Sequence, residues 1–195
     1  MSENAETFAF SAENLEKAKA IFAKYPEGRE ASAVMPLLML AQRQNDNWLP
    51  TVAMDIIADM CGMAPIRVYE VATFYTMYNL KPVGKNFVQV CTNISCLIRG
   101  ADDVFKVCKK KLGIENGETT PDGKFTLLEV ECLGACVNAP MMQINDDFYE
   151  DLDGDSAAKV LDVLARDETP TPGSQAGKRD GCQPVGGITT LKGGK

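Results

Sequence analysis

Two closely spaced pairs of cysteines restrict the fold of this sequence more than any other feature. Cys91 and Cys96 form a C-x4-C pair, and Cys132 and Cys136 form a C-x3-C pair. Each pair directly follows a short apolar run typical of a β-strand, and a helical pattern over residues 100–112 lies between the two runs. This order predicts parallel strands, whose carboxyl ends meet at one edge of a sheet. We therefore expect the four thiols to converge at that edge.

The absence of histidine narrows the chemistry of such a site. The chain alone cannot form a Ser-His-Asp triad, a HExxH zinc site, a Rieske centre or a histidine-ligated haem. Four thiolates favour a soft metal, either a structural zinc ion or an iron-sulfur cluster. Zinc ribbons typically use C-x2-C, whereas a two-iron centre accepts wider spacings. The spacing therefore favours a [2Fe-2S] cluster and leaves zinc as the alternative.

Three further cysteines are predicted to have no part in this site. Cys61 and Cys108 lie on the apolar stripes of predicted helices, which is typical of core residues. Cys182 lies near the carboxyl terminus and is predicted to be an exposed free thiol. The odd number of cysteines and the lack of a secretion-type segment at the amino terminus predict a reducing compartment.

The sequence pattern predicts an α+β protein with three zones. Residues 1–80 show helical periodicity, residues 81–167 alternate strand and helix patterns, and residues 168–195 form a Gly/Pro-rich, flexible tail. In the first zone four helices are predicted, over residues 12–24, 32–44 and 51–61 and from residue 65 onward. Ser11 and Ser32 are the predicted caps of the first two helices. Because each helix is short, they should pack together as a small bundle.

The second zone is predicted to form a mixed sheet. Its elements follow the order β-α-β-β-β-α, over residues 86–90, 100–112, 125–131, 141–144, 148–150 and 156–165. The crossover helix predicts that the first two strands are parallel, and the tight link at residues 145–147 predicts an antiparallel hairpin.

Charge and hydropathy exclude several classes of partner. The chain has 20 basic and 27 acidic residues, a formal net charge of −7 that repels nucleic acids and anionic lipid headgroups. The first zone is itself acidic, which argues against the alternative that its helices form a DNA-binding bundle. The longest apolar run, residues 33–41, is far shorter than the ~20 residues of a membrane-spanning helix, so no direct membrane insertion is expected.

Several segments of the sequence resemble a known family. They are residues 67–75 (RVYEVATFY), residues 129–140 (EVECLGACVNAP), residues 147–152 (DFYEDL) and the two cysteine pairs. Together they resemble the E subunits of NADH-quinone oxidoreductase, the 24 kDa-type [2Fe-2S] subunits of respiratory complex I. This resemblance implies a four-helix amino-terminal region followed by a thioredoxin-like ferredoxin domain. It also implies that the [2Fe-2S] cluster is bound by the paired cysteines, Cys91, Cys96, Cys132 and Cys136.

The same resemblance implies a one-electron carrier within a larger complex. It would exchange electrons with FMN in the adjacent NADH-binding subunit, and a neighbouring peripheral-arm iron-sulfur subunit would be a second partner. No catalytic residue is implied in this chain, and NADH, FMN and quinone would bind elsewhere in the complex. The implied location is the cytoplasmic side of a bacterial inner membrane, reached through the complex. The alternatives are the equivalent diaphorase subunit of an NAD-dependent formate dehydrogenase or hydrogenase, and a zinc-stapled interaction module.

Overall fold

The chain divides into two compact units between Val83 and Gly84. The structure, a computed structural model, describes residues 7–177. The division falls within the segment where the sequence pattern changes from helical periodicity to alternating strands and helices. In this described part of the chain, no helix is long and apolar enough to cross a membrane.

The first unit is helical. Its elements are α1 (Ala12–Phe22), a 3-10 helix (Glu30–Ala33), α2 (Val34–Gln44), α3 (Thr51–Cys61) and α4 (Pro65–Phe74). Ser11 caps α1 as predicted, because its hydroxyl accepts a hydrogen bond from the backbone N–H of Asn14. Gly62 ends α3 in the left-handed conformation, which residues with side chains rarely adopt. The first helix ends at Phe22, two residues before its predicted end.

The predicted capping role of Ser32 is wrong. Ser32 lies inside the 3-10 helix, and its backbone N–H donates to the Arg29 carbonyl at 3.0 Å. Ala33 occupies the N-cap position of α2 with helical dihedral angles (φ −81°, ψ −4°) and makes no side-chain cap bond. A capping serine needs an extended backbone so that its hydroxyl reaches the free N–H groups of the helix. The helical turn that precedes α2 excludes that conformation.

One apolar face of each α-helix contributes to the core of the first unit. Its fully buried side chains include Ala18, Leu37, Ile57 and Val68, one from each α-helix. The buried amide of Gln42 forms hydrogen bonds with the backbone of the segment that follows α4, at 3.0 and 2.7 Å. These bonds fix the end of the helical unit against its own core.

The second unit is built around a mixed sheet. Its elements are β1 (Asn86–Cys91), α5 (Ile94–Ile98), α6 (Ala101–Leu112), β2 (Phe125–Val130), β3 (Met142–Ile144), β4 (Asp147–Glu150), α7 (Gly154–Ala165) and β5 (Gly173–Ser174). The strand order is β2-β1-β3-β4-β5. Strands β1 and β2 are parallel, β3 is antiparallel to both of its neighbours, and β4 and β5 are parallel. The predicted mixed sheet and its parallel pair are confirmed.

Two short elements of this unit were not predicted. Helix α5 occupies part of the loop between the first two cysteines, and β5 lies in the segment that the sequence assigned to a flexible tail. The prediction of a flexible tail is therefore wrong at residues 173–174. These two residues have little strand propensity, but hydrogen bonding to β4 stabilises them as a strand. Residues 178–195, with the predicted exposed thiol of Cys182, lie outside the described residues.

Helices α6 and α7 pack against each other and against the sheet. Val104 of α6 and Val160 of α7 are buried in one cluster with Val88 of β1 and Leu127 of β2. The predicted crossover role of α6 is confirmed, since it connects two parallel strands that it also covers. This packing fixes the relative position of the two strand ends from which the cysteine loops begin.

Asp167, just after α7, links the end of this helix to the starts of β1 and β2. Its carboxylate accepts hydrogen bonds from Lys124 Nζ at 2.7 Å and from Lys85 Nζ at 2.8 Å. These two ammonium groups lower the pKa of Asp167 to about 2. Because the folded-state pKa is depressed, the ion pairs stabilise the fold above the ordinary pKa of aspartate, and that stabilisation is lost as the pH falls towards 2.

Candidate metal centre

The carboxyl ends of β1 and β2 meet at one edge of the sheet. Their parallel register places Cys91, the last residue of β1, opposite Val130, the last residue of β2. Two loops begin here, the first cysteine loop (residues 91–96) and the second cysteine loop (residues 132–136). The sequence prediction that both pairs start from a shared edge is confirmed, and it follows from the crossover connection through α6.

Both thiols of the first cysteine loop are buried. Cys91 ends β1, and Cys96 lies in α5. Asn93 caps this helix, because its side-chain oxygen accepts a hydrogen bond from the backbone N–H of Ile94 at 2.9 Å. Burial raises the pKa of Cys96 to about 12, and its hydrogen bond with Cys91 acts in the same direction. The Cys96 thiol is therefore neutral until a metal stabilises its thiolate.

Both thiols of the second cysteine loop are exposed. The Sγ atoms of Cys132 and Cys136 lie 3.2 Å apart. Gly134 has a φ of 88°, and its backbone N–H donates to the Sγ of Cys132 at 3.4 Å. The hydrogen bond from the Cys136 thiol, followed by that from Gly134, lowers the pKa of Cys132. Cys132 therefore ionises more readily than an ordinary cysteine, which favours metal binding.

Polar contacts join the two cysteine loops. Asn93 Nδ2 in the first loop donates to Glu131 Oε2 beside the second loop at 2.5 Å. Ser95 forms a hydrogen bond with the Cys136 thiol. The pKa of that thiol is raised mainly by its hydrogen bond with Cys132, and the nearby Cys91 acts in the same direction. The buried pair and the exposed pair thus share one region of the molecule.

The thiols are arranged as two pairs. Across residues 7–177, no three Cys, Asp or Glu side chains are placed so that they could hold a single metal ion. A [2Fe-2S] centre takes four thiolates shared between two irons, and thiolates are the soft ligands that iron-sulfur clusters prefer. Two neighbouring pairs of cysteines supply that number and kind of donor atoms. The donor set at this edge therefore fits a [2Fe-2S] cluster.

Two of the remaining cysteines are core residues, as predicted. Cys61 is buried at the end of α3, and Cys108 is buried on the inner face of α6. Burial raises the pKa of Cys61 to about 11 and that of Cys108 to about 12. They belong to core clusters other than the one that contains Cys91 and Cys96.

Sequence reasoning missed an exposed group of apolar side chains beside the cysteines. This apolar rim consists of Ile94, Leu97 and Ile98 of α5 and Val137, which directly follows Cys136. Ile98 is 78% exposed and Ile94 is 70% exposed. A usable signal was present, since three large apolar residues within five positions flank a predicted ligand. It was overlooked because a helix of five residues is too short to produce a periodic pattern.

Comparison with known proteins decides between the chemistries that the spacing left open. The profile of the thioredoxin-like [2Fe-2S] ferredoxin family matches residues 18–165. The chain belongs to this family. Its membership confirms the predicted [2Fe-2S] cofactor and the thioredoxin-like ferredoxin fold.

The relatives of this thioredoxin-like [2Fe-2S] ferredoxin include respiratory-chain proteins. It is 56% identical over 167 residues to the E subunit of the NADH-quinone oxidoreductase of Rickettsia conorii, a match that covers 86% of this chain and 100% of that protein. It is 54% identical over 185 residues to NADH dehydrogenase [ubiquinone] flavoprotein 2, mitochondrial, of Dictyostelium discoideum, covering 95% of this chain and 75% of that protein. The resemblance to the E subunits of NADH-quinone oxidoreductase is confirmed.

A solved structure shares the fold. An NAD+-reducing [NiFe]-hydrogenase in the air-oxidized state matches 67% of this chain with a TM-score of 0.58 and 18% sequence identity. The matched part spans only 23% of the hydrogenase chain. At this level of identity, the likeness establishes the common fold alone.

Glu131 should lower the reduction potential of the bound cluster. Its carboxylate directly precedes Cys132. Its electrostatic repulsion opposes the hydrogen bonds from Cys136 and Gly134, which lower the pKa of that thiol. We expect Glu131→Gln to raise the potential, because a nearby exposed charge changes the energy of adding an electron by about 0.5–1 kcal/mol, on the order of tens of mV. The glutamine keeps an oxygen that can accept the hydrogen bond from Asn93. Redox titration followed by EPR measures the effect.

The control for this prediction is a charge removal elsewhere in the same unit. Asp162 of α7 pairs with Lys111 at the carboxyl end of α6, so Asp162→Asn should leave the potential close to that of the wild type. A lower potential in Glu131→Gln, or equal shifts in both variants, would contradict the electrostatic explanation.

Proposed function

We propose that this chain is the [2Fe-2S] subunit of an NADH-quinone oxidoreductase and carries one electron at a time. The observation that carries the proposal is the pair of cysteine loops at one sheet edge, in a chain that is 56% identical to the whole length of such a relative. Cys91, Cys96, Cys132 and Cys136 are the proposed ligands. The enzymatic activity belongs to the complex, in which this chain acts as an oxidoreductase subunit.

The two cysteine pairs give the site a buried side and an open side. When bound, the cluster supplies one-electron chemistry, which matches it to a flavin that takes two electrons from NADH. Cys91 and Cys96 exclude water from one side, because both thiols are buried. On the open side the backbone N–H of Gly134 donates to Cys132 Sγ and stabilises negative charge on that sulfur. Another redox centre can approach from this open side.

The apolar rim supports a protein partner on the open side. Exposed apolar side chains grouped beside a functional site are typical of a protein interface. We assign the FMN- and NADH-binding subunit of the complex to this surface, with a neighbouring peripheral-arm iron-sulfur subunit as a second partner. In this assignment the chain lies on the cytoplasmic side of a bacterial inner membrane and is held there by the complex.

A second candidate is the equivalent diaphorase subunit of an NAD-linked hydrogenase or formate dehydrogenase. The fold that the chain shares with part of an NAD+-reducing [NiFe]-hydrogenase supports this second candidate. The two functions differ in the subunits that the chain binds, so isolating the native complex and identifying its subunits separates them.

The test of the proposed function is electron transfer in a reconstituted pair. The purified chain should contain two irons and two acid-labile sulfides, which would also exclude the zinc-stapled alternative. Mixed anaerobically with the NADH-binding subunit of an NADH-quinone oxidoreductase, the chain should give the EPR signal of a reduced [2Fe-2S] cluster after NADH is added. Absence of that signal with a chain that dithionite does reduce would contradict the proposal.

A charge placed in the apolar rim should weaken binding to the flavoprotein subunit. Ile98→Asp replaces the most exposed rim side chain, and we expect a loss of about 2 kcal/mol, a roughly 30-fold weaker Kd. Leu15→Asp is the control, since Leu15 is an exposed apolar residue on α1. Calorimetry with the cluster-loaded proteins measures both affinities. Equal affinities for wild type and Ile98→Asp would show that the apolar rim is not part of the interface.

A further inference from the structure

Residues 168–177 form a strap along the outer side of β4. This C-terminal strap contains β5, in which Ser174 lies opposite Glu150 of β4. The backbone N–H of Gln175 donates to the Glu150 carbonyl at 2.9 Å, and the Ser174 hydroxyl donates to Asp151 Oδ2 at 2.6 Å. The strap therefore forms hydrogen bonds with the last residue of β4 and with the residue after it.

The same two residues form hydrogen bonds with the chain just beyond the second cysteine loop. Asn138 is fully buried and lies two residues after Cys136. Its side-chain Nδ2 donates to Glu150 Oε2 at 2.5 Å. Its backbone carbonyl accepts a hydrogen bond from the backbone N–H of Asp151 at 2.7 Å. Glu150 and Asp151 thus lie between the strap on one side and the cysteine loop on the other.

The backbone of Asp151 depends on its neighbours. Its φ of 51° lies in the left-handed region, which aspartate adopts more readily than most residues other than glycine and which local hydrogen bonds stabilise. The bond from Ser174 to its carboxylate and the bond from its N–H to Asn138 are two such contacts. Without the Ser174 hydroxyl, the Asp151 carboxylate would lose its hydrogen bond, and the bond between Asp151 N–H and Asn138 should weaken as the backbone shifts.

We propose that the C-terminal strap positions the second cysteine loop, and that it acts through Glu150 and Asp151 on Asn138. None of these residues is a proposed ligand, so each is a positioning residue for Cys136. The inference rests on the proposed function, since it assigns the loop to a bound [2Fe-2S] cluster. It gives residues 168–177, which the sequence alone assigned to a tail, a role at the site.

The test measures how firmly the full-length chain holds its cluster. Cluster-loaded wild type, Ser174→Ala and Asn138→Ala are exposed to an iron chelator, and loss of the visible absorbance gives a rate. Thr169→Ala is the matched control, because it removes a hydroxyl from an exposed position on the same strap. EPR spectra of the reduced proteins are recorded in parallel, because the g values report the geometry around the iron and are insensitive to a general loss of stability.

Each variant has a defined expected result. Loss of a part-buried hydrogen bond should make cluster release about tenfold faster in Asn138→Ala and about threefold faster in Ser174→Ala, with altered g values in both. Thr169→Ala should match the wild type. The double variant of Ser174 and Asn138 should lose its cluster no faster than Asn138→Ala, because both changes break one chain of contacts.

A pair of substitutions that exchanges the donor and the acceptor keeps the test decisive if a single variant fails to fold. N138D alone should release its cluster faster, because it sets two carboxylates side by side, and N138D combined with E150Q should recover most of the wild-type rate by restoring a donor and an acceptor. If Ser174→Ala matches Thr169→Ala in both rate and g values, the strap has no positioning role and the inference is overturned. A wild-type chain that binds no iron would overturn the proposed function as well.

Discussion

Replacing any one proposed ligand with alanine should abolish or severely impair cluster assembly. The positions are those of the two cysteine loops, Cys91, Cys96, Cys132 and Cys136. An iron that lacks one of its ligands has an open site, which makes the cluster labile to water and oxygen. Iron and acid-labile sulfide per chain should fall from about two of each to near zero in each variant. Metal analysis, visible absorbance and EPR measure this effect.

The buried cysteines outside the site provide matched controls. Cys61→Ala and Cys108→Ala remove a thiol from the core of each unit and should keep the full cluster content. Their cost should be limited to stability, about 1 kcal/mol for a small buried side chain. Full iron occupancy in Cys132→Ala, or loss of the cluster in Cys108→Ala without loss of fold, would contradict the ligand assignment.

Replacing Gly84 with alanine should destabilise the second unit by about 3 kcal/mol, because overpacking against backbone cannot be relieved by a side-chain movement. An added Cβ would lie 2.7 Å from the carbonyl carbon of Phe125 and 2.9 Å from the backbone nitrogens of Phe125 and Thr126. The backbone N–H of Gly84 also donates to Thr126 Oγ1 at 2.6 Å. Relief would require the chain to move away from β2, which carries the second cysteine loop. Urea unfolding of the full-length protein measures the loss.

Gly154→Ala is the control for this prediction. At Gly154, the first residue of α7, an added Cβ would meet only a methyl group of Val107, at 3.1 Å. A side-chain methyl can shift by a few tenths of an ångström, and alanine favours the helix, so the expected change is under about 1 kcal/mol. Similar losses of unfolding free energy in the two variants would show that the close approach of Gly84 to the β2 backbone is not the cause of the destabilisation.

The parts of the fold that were predicted correctly are those in which local pattern and tertiary structure agree. The apolar repeat that ends at Gly62 gave the bounds of α3, and a crossover helix between two strand-like runs gave the parallel pairing of β1 and β2. The start of both cysteine loops at one sheet edge followed from that pairing. These predictions used spacing and connectivity, which the sequence contains directly.

The parts that were missed depend on tertiary contacts. Strand β5 is the dipeptide Gly173–Ser174, which has little strand propensity and forms because β4 offers an edge. Ser32 has a suitable side chain for capping, but the preceding turn gives its backbone the wrong conformation. The burial of one cysteine pair and the exposure of the other depend on how α5 packs, which spacing does not contain.

The pairing of β1 with β2 should govern when the chain can acquire iron during its biogenesis. Cys91 and Cys132 are far apart in sequence, and the parallel pairing of β1 with β2 brings their loops to one sheet edge. In a newly synthesised, unfolded chain an incoming iron meets one cysteine pair at a time, and closing the loop to the other pair costs entropy. The folded apoprotein presents both pairs at once. We therefore expect folding to precede metal insertion, with the exposed Cys132 and Cys136 as the first thiols that an iron donor reaches.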